Sequence, residues 1–144
     1  MTKNEYYIKI AEAVALKSKC LKKHYGAVIV NNDQIISTGY NGCPRKEPEC
    51  SVCTKISGNK DEAEYKFCPA VHAEQNAIIA ASRKDMLGST LYLAGFDVES
   101  QKWISACPCE ICLRLIKNAG IDIVINTNGV LYERTSGGIL AKIN

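Results

Sequence analysis

The chain has no apolar run near the roughly 20 residues that a membrane-spanning helix needs. It has few aromatic residues, 7% of its 144, and no strong charge of one sign: 18 Lys and Arg stand against 15 Asp and Glu, a formal net charge of +3. That balance falls short of the clustered basic footprint of a nucleic-acid binder. The start, Met1-Thr2-Lys3-Asn4-Glu5, has neither the basic opening nor the apolar stretch of a secretory signal, which predicts a cytoplasmic protein. Low hydrophobic content is also absent: 47% of residues are hydrophobic and 23% charged, which excludes a disordered chain. A length of 144 residues predicts one domain, 1–144.

Cysteine is what the chain has in excess. There are eight: Cys20, Cys43, Cys50, Cys53, Cys68, Cys107, Cys109 and Cys112. In a reducing compartment such density points to metal ligation or catalysis rather than disulfides. Isolated cysteines such as Cys43 read as small buried hydrophobes, but that reading leaves two Cys-x-x-Cys pairs unexplained.

Periodicity predicts a helix from Asn4 to about Cys20, then a hairpin of Gly26-Ala27-Val28-Ile29-Val30 and Gln34 to Tyr40 around Asn31-Asn32-Asp33. The stretch from about 42 to 69 breaks pattern and reads as a cysteine-rich loop insertion, a length uncommon in a compact domain unless functional or anchored. A helix over Val71–Lys84, a strand Thr90–Ala94, a helix Cys109–Asn118 with Pro108 at or near its first position, and a strand Ile121–Ile125 follow. Asn128-Gly129 is a hairpin dipeptide, so the last strand is expected to return antiparallel. The segment from Gly95 to Ala106 is either a flap or a continuation of its strand into a hairpin. The alternation predicts an α/β fold: three layers, αβα, around a mixed sheet of about five strands.

Chemistry concentrates in two places. One is His72-Ala73-Glu74, opening a helix; the other is Cys107-Pro108-Cys109-Glu110-Ile111-Cys112, opening another. Cys109 and Cys112 are three apart, so they share a helix face and can grip one ion. Their place at a helix start favours negative charge and hence the thiolates a soft metal takes. With His72 as third ligand this is an unsaturated tetrahedral zinc site whose fourth position stays open, the pattern of catalytic zinc. Glu74, two residues after His72, is expected at the exposed start of its helix, in reach of a zinc-activated water as a proton carrier.

These paired motifs resemble the signature of the zinc-dependent cytidine and deoxycytidylate deaminases. The longer string His72-Ala73-Glu74-Gln75-Asn76-Ala77-Ile78, with Gly26 to Val30 and Gly39-Tyr40-Asn41-Gly42, is similar to the deoxycytidylate branch. The resemblance covers about residues 5–125. It implies that His72, Cys109 and Cys112 hold zinc and that Glu74 shuttles protons. It also implies that the Ala73 backbone N–H faces the pyrimidine carbonyl and that Asn41 touches the sugar. The implied reaction is hydrolytic deamination of a cytosine mononucleotide, dCMP to dUMP and ammonia, in a homo-oligomer with a small-molecule nucleotide substrate. Alternatives are cytidine, CMP, guanine or a modified base. A tRNA or single-stranded nucleic acid substrate comes further down, and a non-enzymatic zinc module last.

Three features depart from the family pattern. Arg45-Lys46 follows Gly42-Cys43-Pro44 where Gly is usual, which puts allosteric control by nucleoside triphosphates in doubt. The 95–106 stretch is long. The hairpin dipeptide after Gly120 looks more like the nucleoside branch. The branch often carries a second zinc, and Cys20, Cys50, Cys53 and Cys68 form the expected structural set, with Cys43 or His24 as substitutes. Otherwise His24 reads as a surface or packing residue, Arg45, Lys46 and Lys55 as a solvated face, Trp103 as a base-stacking or covering ring, and Cys107 as near-site packing.

Overall fold

The structure is a computed structural model that describes residues 1–57 and 68–143. Helix α1 (Lys3–Ala15) leads into strands β1 (Lys23–Asn31) and β2 (Gln34–Tyr40), then the one-turn α2 (Thr54–Ser57). Helices α3 (Ala73–Ile79) and α4 (Arg83–Met86) precede β3 (Thr90–Asp97) and β4 (Lys102–Ile104). Helix α5 (Glu110–Ala119) and strands β5 (Ile123–Asn126), β6 (Gly129–Arg134) and β7 (Leu140–Lys142) complete the described chain.

The strands form one mixed sheet in the order β2-β1-β3-β5-β6-β7, with β4 on β3. β3 and β5 are parallel; every other pairing is antiparallel. The sheet thus has seven strands rather than about five. The two extra strands are three residues each, β4 and β7, too short to leave a period in the sequence. β4 resolves the 95–106 stretch as a hairpin: it pairs Gly95 to Asp97 with Lys102 to Ile104, where β5 no longer runs alongside β3. The last strands return antiparallel, as Asn128-Gly129 predicts.

Alternation along the strands divides the core. Ala27, Ile29, Leu91, Leu93 and Val124 face α3, α4 and α5, whereas Val28, Val30, Tyr92, Ala94 and Ile125 face α1. Helices on both faces give the expected three layers. Two glycines allow the layers to close. A Cβ on Gly26 would strike the backbone of α1 at Ala11 and Ala15, and one on Gly39 would strike α3 at Ala73 and Ala77.

Two helices are shorter than their periodicity predicts. α1 stops at Ala15 because Ser18 turns inward, its hydroxyl donating to the Asn41 carbonyl at 2.8 Å. The expected helix over Val71–Lys84 is instead α3 and α4, broken at Ala80 to Ser82. Ser82 caps the second piece by accepting the Asp85 N–H, and Asn31 donates to the carbonyls of Asp85 and Leu87 at its far end. Part of the expected 42–69 loop, residues 58–67, lies outside the described residues. Among the described residues no helix is long and apolar enough to cross a membrane.

Candidate metal centre and cavity

Local rules fix where the three donors sit. Gly42 and Val71 form an antiparallel bridge, with the Val71 N–H donating to Gly42 at 2.7 Å, which holds the start of α3 beside the end of β2. His72 is the N-cap of α3, and its own N–H donates to the Gln75 side chain at 2.8 Å. Cys109 is the N-cap of α5, so the helix begins at Glu110, one residue later than expected, with Pro108 just outside it. The Cys109 sulfur accepts the Cys112 N–H at 3.4 Å, the side-chain capping bond that Ser or Asp makes in other helices. A buried bond holds the preceding segment: Asn126 donates to the Ala106 carbonyl at 2.9 Å, while its side-chain oxygen accepts the Asn128 N–H at 2.8 Å.

Two helix N-termini therefore converge. His72 Nδ1 lies 3.2 Å from Cys112 Sγ and 3.6 Å from Cys109 Sγ, and the three donor atoms all lie within 4.8 Å of one another. Tetrahedral zinc, with bonds of about 2.0–2.3 Å, separates its N and S ligands by about 3.5 Å, close to the two distances from His72 to the cysteines. One nitrogen and two sulfurs are a zinc donor set, and three protein ligands leave a fourth position for a non-protein ligand. No other group of three His, Cys, Asp or Glu among the described residues is so close.

Electrostatics point the same way. Cys112 is fully buried, and burial first, then the neighbouring Glu74 carboxylate, push its thiol well above the usual range. Burial likewise raises the Glu74 carboxyl, although hydrogen bonds to its own backbone and to Cys112 oppose the rise. A cation among these groups reverses the first effect, because thiolate ligation and a divalent charge both favour the deprotonated sulfur.

Glu74 is 7% exposed, not at an exposed helix start as expected. The first turn of α3 is roofed by α5, which packs beside it, and a helix start reads as exposed in sequence only when its neighbour is unknown. Glu74, Ala73, His72 and Cys109 line a cavity of about 240 Å³. Asn41 also lines it, but its amide donates to the Lys23 carbonyl at 2.9 Å and accepts the Tyr25 N–H at 2.8 Å, which clamps the start of β1. Cys107 is exposed and borders the cavity, so it is a wall residue rather than packing.

The second cysteine set is gathered less tightly. Cys20, Cys50, Cys53 and Cys68 border one small cavity together with Cys43, whose sulfur lies 3.7 Å from that of Cys50. Burial and the Cys50 thiol push the Cys43 thiol up to about 11. Cys20, Cys53 and Cys68 also form part of the wall of the larger cavity, so the cysteine loop borders the site. His24 packs on Phe96, with its Nε2 2.9 Å from the Cys20 carbonyl oxygen. Arg45 and Lys46 are exposed, and Lys55 has its side chain outside the described residues. Trp103 meets Phe96 edge-on at 5.1 Å. Lys22, Lys23 and Tyr25 line the larger cavity and escaped sequence reasoning. The available signal was alternation: Lys23 and Tyr25 are two apart on β1 and share the face toward the site.

This frame and donor set define an α/β fold with a zinc-type site of three protein ligands. The profile of the cytidine and deoxycytidylate deaminase zinc-binding region matches residues 1–127, and the chain belongs to that family. The chain is 35% identical over 128 residues to the deoxycytidylate deaminase of Mycobacterium phage D29, covering 85% of this chain and 91% of that one. It is 31% identical over 139 residues to the deoxycytidylate deaminase of Saccharomyces cerevisiae, of which it spans 41%. Among solved structures, the dCMP deaminase of cyanophage S-TIM5 in complex with dCMP and dUMP superposes with a TM-score of 0.62 at 28% identity, covering 85% of this chain and 78% of that one. The cytidine deaminase of Burkholderia pseudomallei shares the fold, with a TM-score of 0.58 at 17% identity over 99% of this chain and 93% of that one.

Proposed function

We propose that this chain hydrolytically deaminates a cytosine mononucleotide, dCMP in the first place, to dUMP and ammonia. The observation that carries the reading is Glu74, a carboxyl group buried in the cavity beside the three-donor cluster, where a purely structural metal site has no use for it. The names of the phage and yeast relatives support the same substrate.

His72, Cys109 and Cys112 would hold the zinc. When bound, zinc supplies a Lewis acid that brings water near neutrality as a nucleophile. Glu74 does the proton work. It takes one proton from the attacking water and passes it to ring N3 as the oxygen bonds to C4. It takes the second proton and passes it to the exocyclic amine, the C4–N bond breaks, and ammonia leaves.

Ala73 stands at the first helical position of α3, where a backbone N–H has no partner within the helix and can donate to the pyrimidine carbonyl. Asn41 keeps one further N–H and one further lone pair beyond its two backbone bonds, enough to meet a sugar hydroxyl. We assign a structural zinc to Cys20, Cys50, Cys53 and Cys68, supported by the cavity they share. Exposed Ile79 on α3 and Ile111 on α5 offer apolar surface for a homo-oligomer. The density of thiols suits a reducing cytoplasm.

The test is ammonia release from purified, zinc-loaded protein offered dCMP, CMP, deoxycytidine, cytidine, guanine and a short RNA hairpin. Preferential release from dCMP supports the reading. Release from the hairpin or guanine alone overturns the substrate, and release from none overturns the activity.

A further inference from the structure

Among the described residues that line the cavity, Tyr25 alone carries a phenol ring. Two observations place that ring. Tyr25 stands two residues before Ala27 on β1 and packs against the same core cluster, so its side chain is on the sheet face that α3 and α5 cover. It also pairs with Gly95 across the ladder, and a Cβ on Gly95 would lie 3.0 Å from Tyr25 Cε1 and 3.1 Å from Tyr25 Cδ1. Ile104 Cγ1 would lie 3.1 Å from the same Cβ, so the ring and Ile104 together fill the space above the glycine. In a sheet open to solvent, an aromatic side chain over a cross-strand glycine only packs. Here the pair is part of a cavity wall, with Leu93, Ala106 and Cys107.

Because Gly95 has no side chain, truncating Tyr25 opens a recess continuous with the cavity and floored by bare backbone. The strand that carries the ring is held independently of it. The Tyr25 N–H donates to Asn41 Oδ1 at 2.8 Å, and Gly26, the next residue, sits directly against the backbone of α1. Loss of the ring therefore changes the extent of the cavity rather than the course of β1. Burial first, and then the Glu74 carboxylate, raise the Tyr25 phenol above its ordinary value, so the ring stays neutral and stands within the field of Glu74. A base whose amine reaches Glu74 has this ring as a neighbour.

We propose that Tyr25 determines specificity: its ring, seated on Gly95, limits the base pocket to a single ring and excludes purine nucleotides. The assignment rests on the deaminase reading of the same cavity. A purine adds to a pyrimidine a fused imidazole, which is smaller than the phenol that fills the recess. Tyr25 takes no part in proton transfer, so its signature is selectivity between one-ring and two-ring ligands.

The experiment uses dUMP and 2′-deoxyinosine monophosphate. They share sugar, phosphate and the ring carbonyl that deamination leaves, differ by the second ring, and have no amine to lose, so binding is read without turnover. Calorimetry measures both on zinc-loaded wild type, Tyr25→Phe, Tyr25→Val and Tyr25→Ala, with a urea midpoint for each protein. Wild type should bind dUMP at least about tenfold more tightly than the inosine nucleotide. Tyr25→Val and Tyr25→Ala should lower that preference by about tenfold, chiefly by tightening the purine, and Tyr25→Phe should hold it within about threefold. A ring that only packs on Gly95 would lower the urea midpoints of the Val and Ala variants and leave the preference within about threefold of wild type, which overturns the assignment. A wild type that binds the inosine nucleotide as tightly as dUMP, or binds neither, overturns it without any variant. Ammonia release separates the two readings. A preference that shifts as expected in a protein that releases ammonia from no cytosine compound retires the deaminase reading and keeps the wall. Ammonia release from dCMP with an unmoved preference keeps the deaminase reading and removes the wall.

Discussion

Replacing Glu74 by Gln removes the proposed proton carrier and changes almost nothing else. The side chain keeps its length, and the buried amide can still hydrogen-bond the Cys112 sulfur. The donors that would hold zinc, at 3.2 and 3.6 Å between His72 and the two cysteines, are untouched. The variant should therefore fold and retain its zinc at the cluster. Its rate should fall steeply, because a positioned acid–base group contributes roughly 10²–10⁴-fold, or about 3–5 kcal/mol of barrier. Loss at the upper end is expected, since Glu74 is asked to move both protons of the attacking water and is 7% exposed, with little room for solvent to substitute. The assay is ammonia release from dCMP at saturating substrate, alongside zinc content by atomic emission on the same sample. Turnover within about tenfold of wild type would refute the mechanism. Loss of zinc together with activity would instead show that Glu74 is needed to keep the metal.

Four further outcomes follow from the same structure. In metal-free protein the Glu74 carboxyl binds its proton more tightly folded than unfolded, so its contribution to stability is complete below the ordinary carboxylate value of 4.5 and is lost as pH rises through the raised folded value. Urea midpoints of metal-free wild type should thus fall relative to Glu74→Gln as pH rises above the ordinary carboxylate value. Gly39→Ala drives a Cβ into the α3 backbone and should cost about 1–3 kcal/mol or more by urea unfolding, with weaker zinc retention because α3 carries His72 at its start. Asn126→Ala strands the buried Ala106 carbonyl and should cost about 1–3 kcal/mol while loosening the segment before Cys109. Zinc per chain near two supports the Cys20, Cys50, Cys53 and Cys68 site, a value near one removes it, and Cys53→Ser should lower a count near two by one.

The parts of the fold that were legible in the sequence are those set by local chemistry. Gly26 to Val30 and Asn31-Asn32-Asp33 announce a hairpin because β-branched residues and turn residues act within a few positions. Cys109 and Cys112 announce a shared face because helix geometry fixes residues three apart. What the sequence concealed depends on distant partners. The 71–84 period runs past the real break, beyond which Ser82 caps a second short helix and distant Asn31 satisfies that helix's last carbonyls. Nothing in His72-Ala73-Glu74 says that α5 will cover the helix start, so Glu74 reads as exposed when it is buried.

That burial joins the two halves of the site into one device. An exposed carboxylate beside a metal would be hydrated, ordinarily acidic and replaceable by solvent. Buried beside α5, Glu74 in the metal-free protein holds its proton more tightly than an exposed carboxyl does. The same enclosure raises the Cys112 thiol, so the fold carries an electrostatic cost at its centre that a divalent cation relieves. The capping bond from Cys112 N–H to the Cys109 sulfur fixes the start of α5, and the Gly42–Val71 bridge and the close approach at Gly39 fix the start of α3 against β2. On the proposed function, metal affinity, proton transfer and helix packing are therefore coupled. A substitution that separates α3 from α5 should lower zinc retention and turnover together, even where it touches neither ligand nor Glu74.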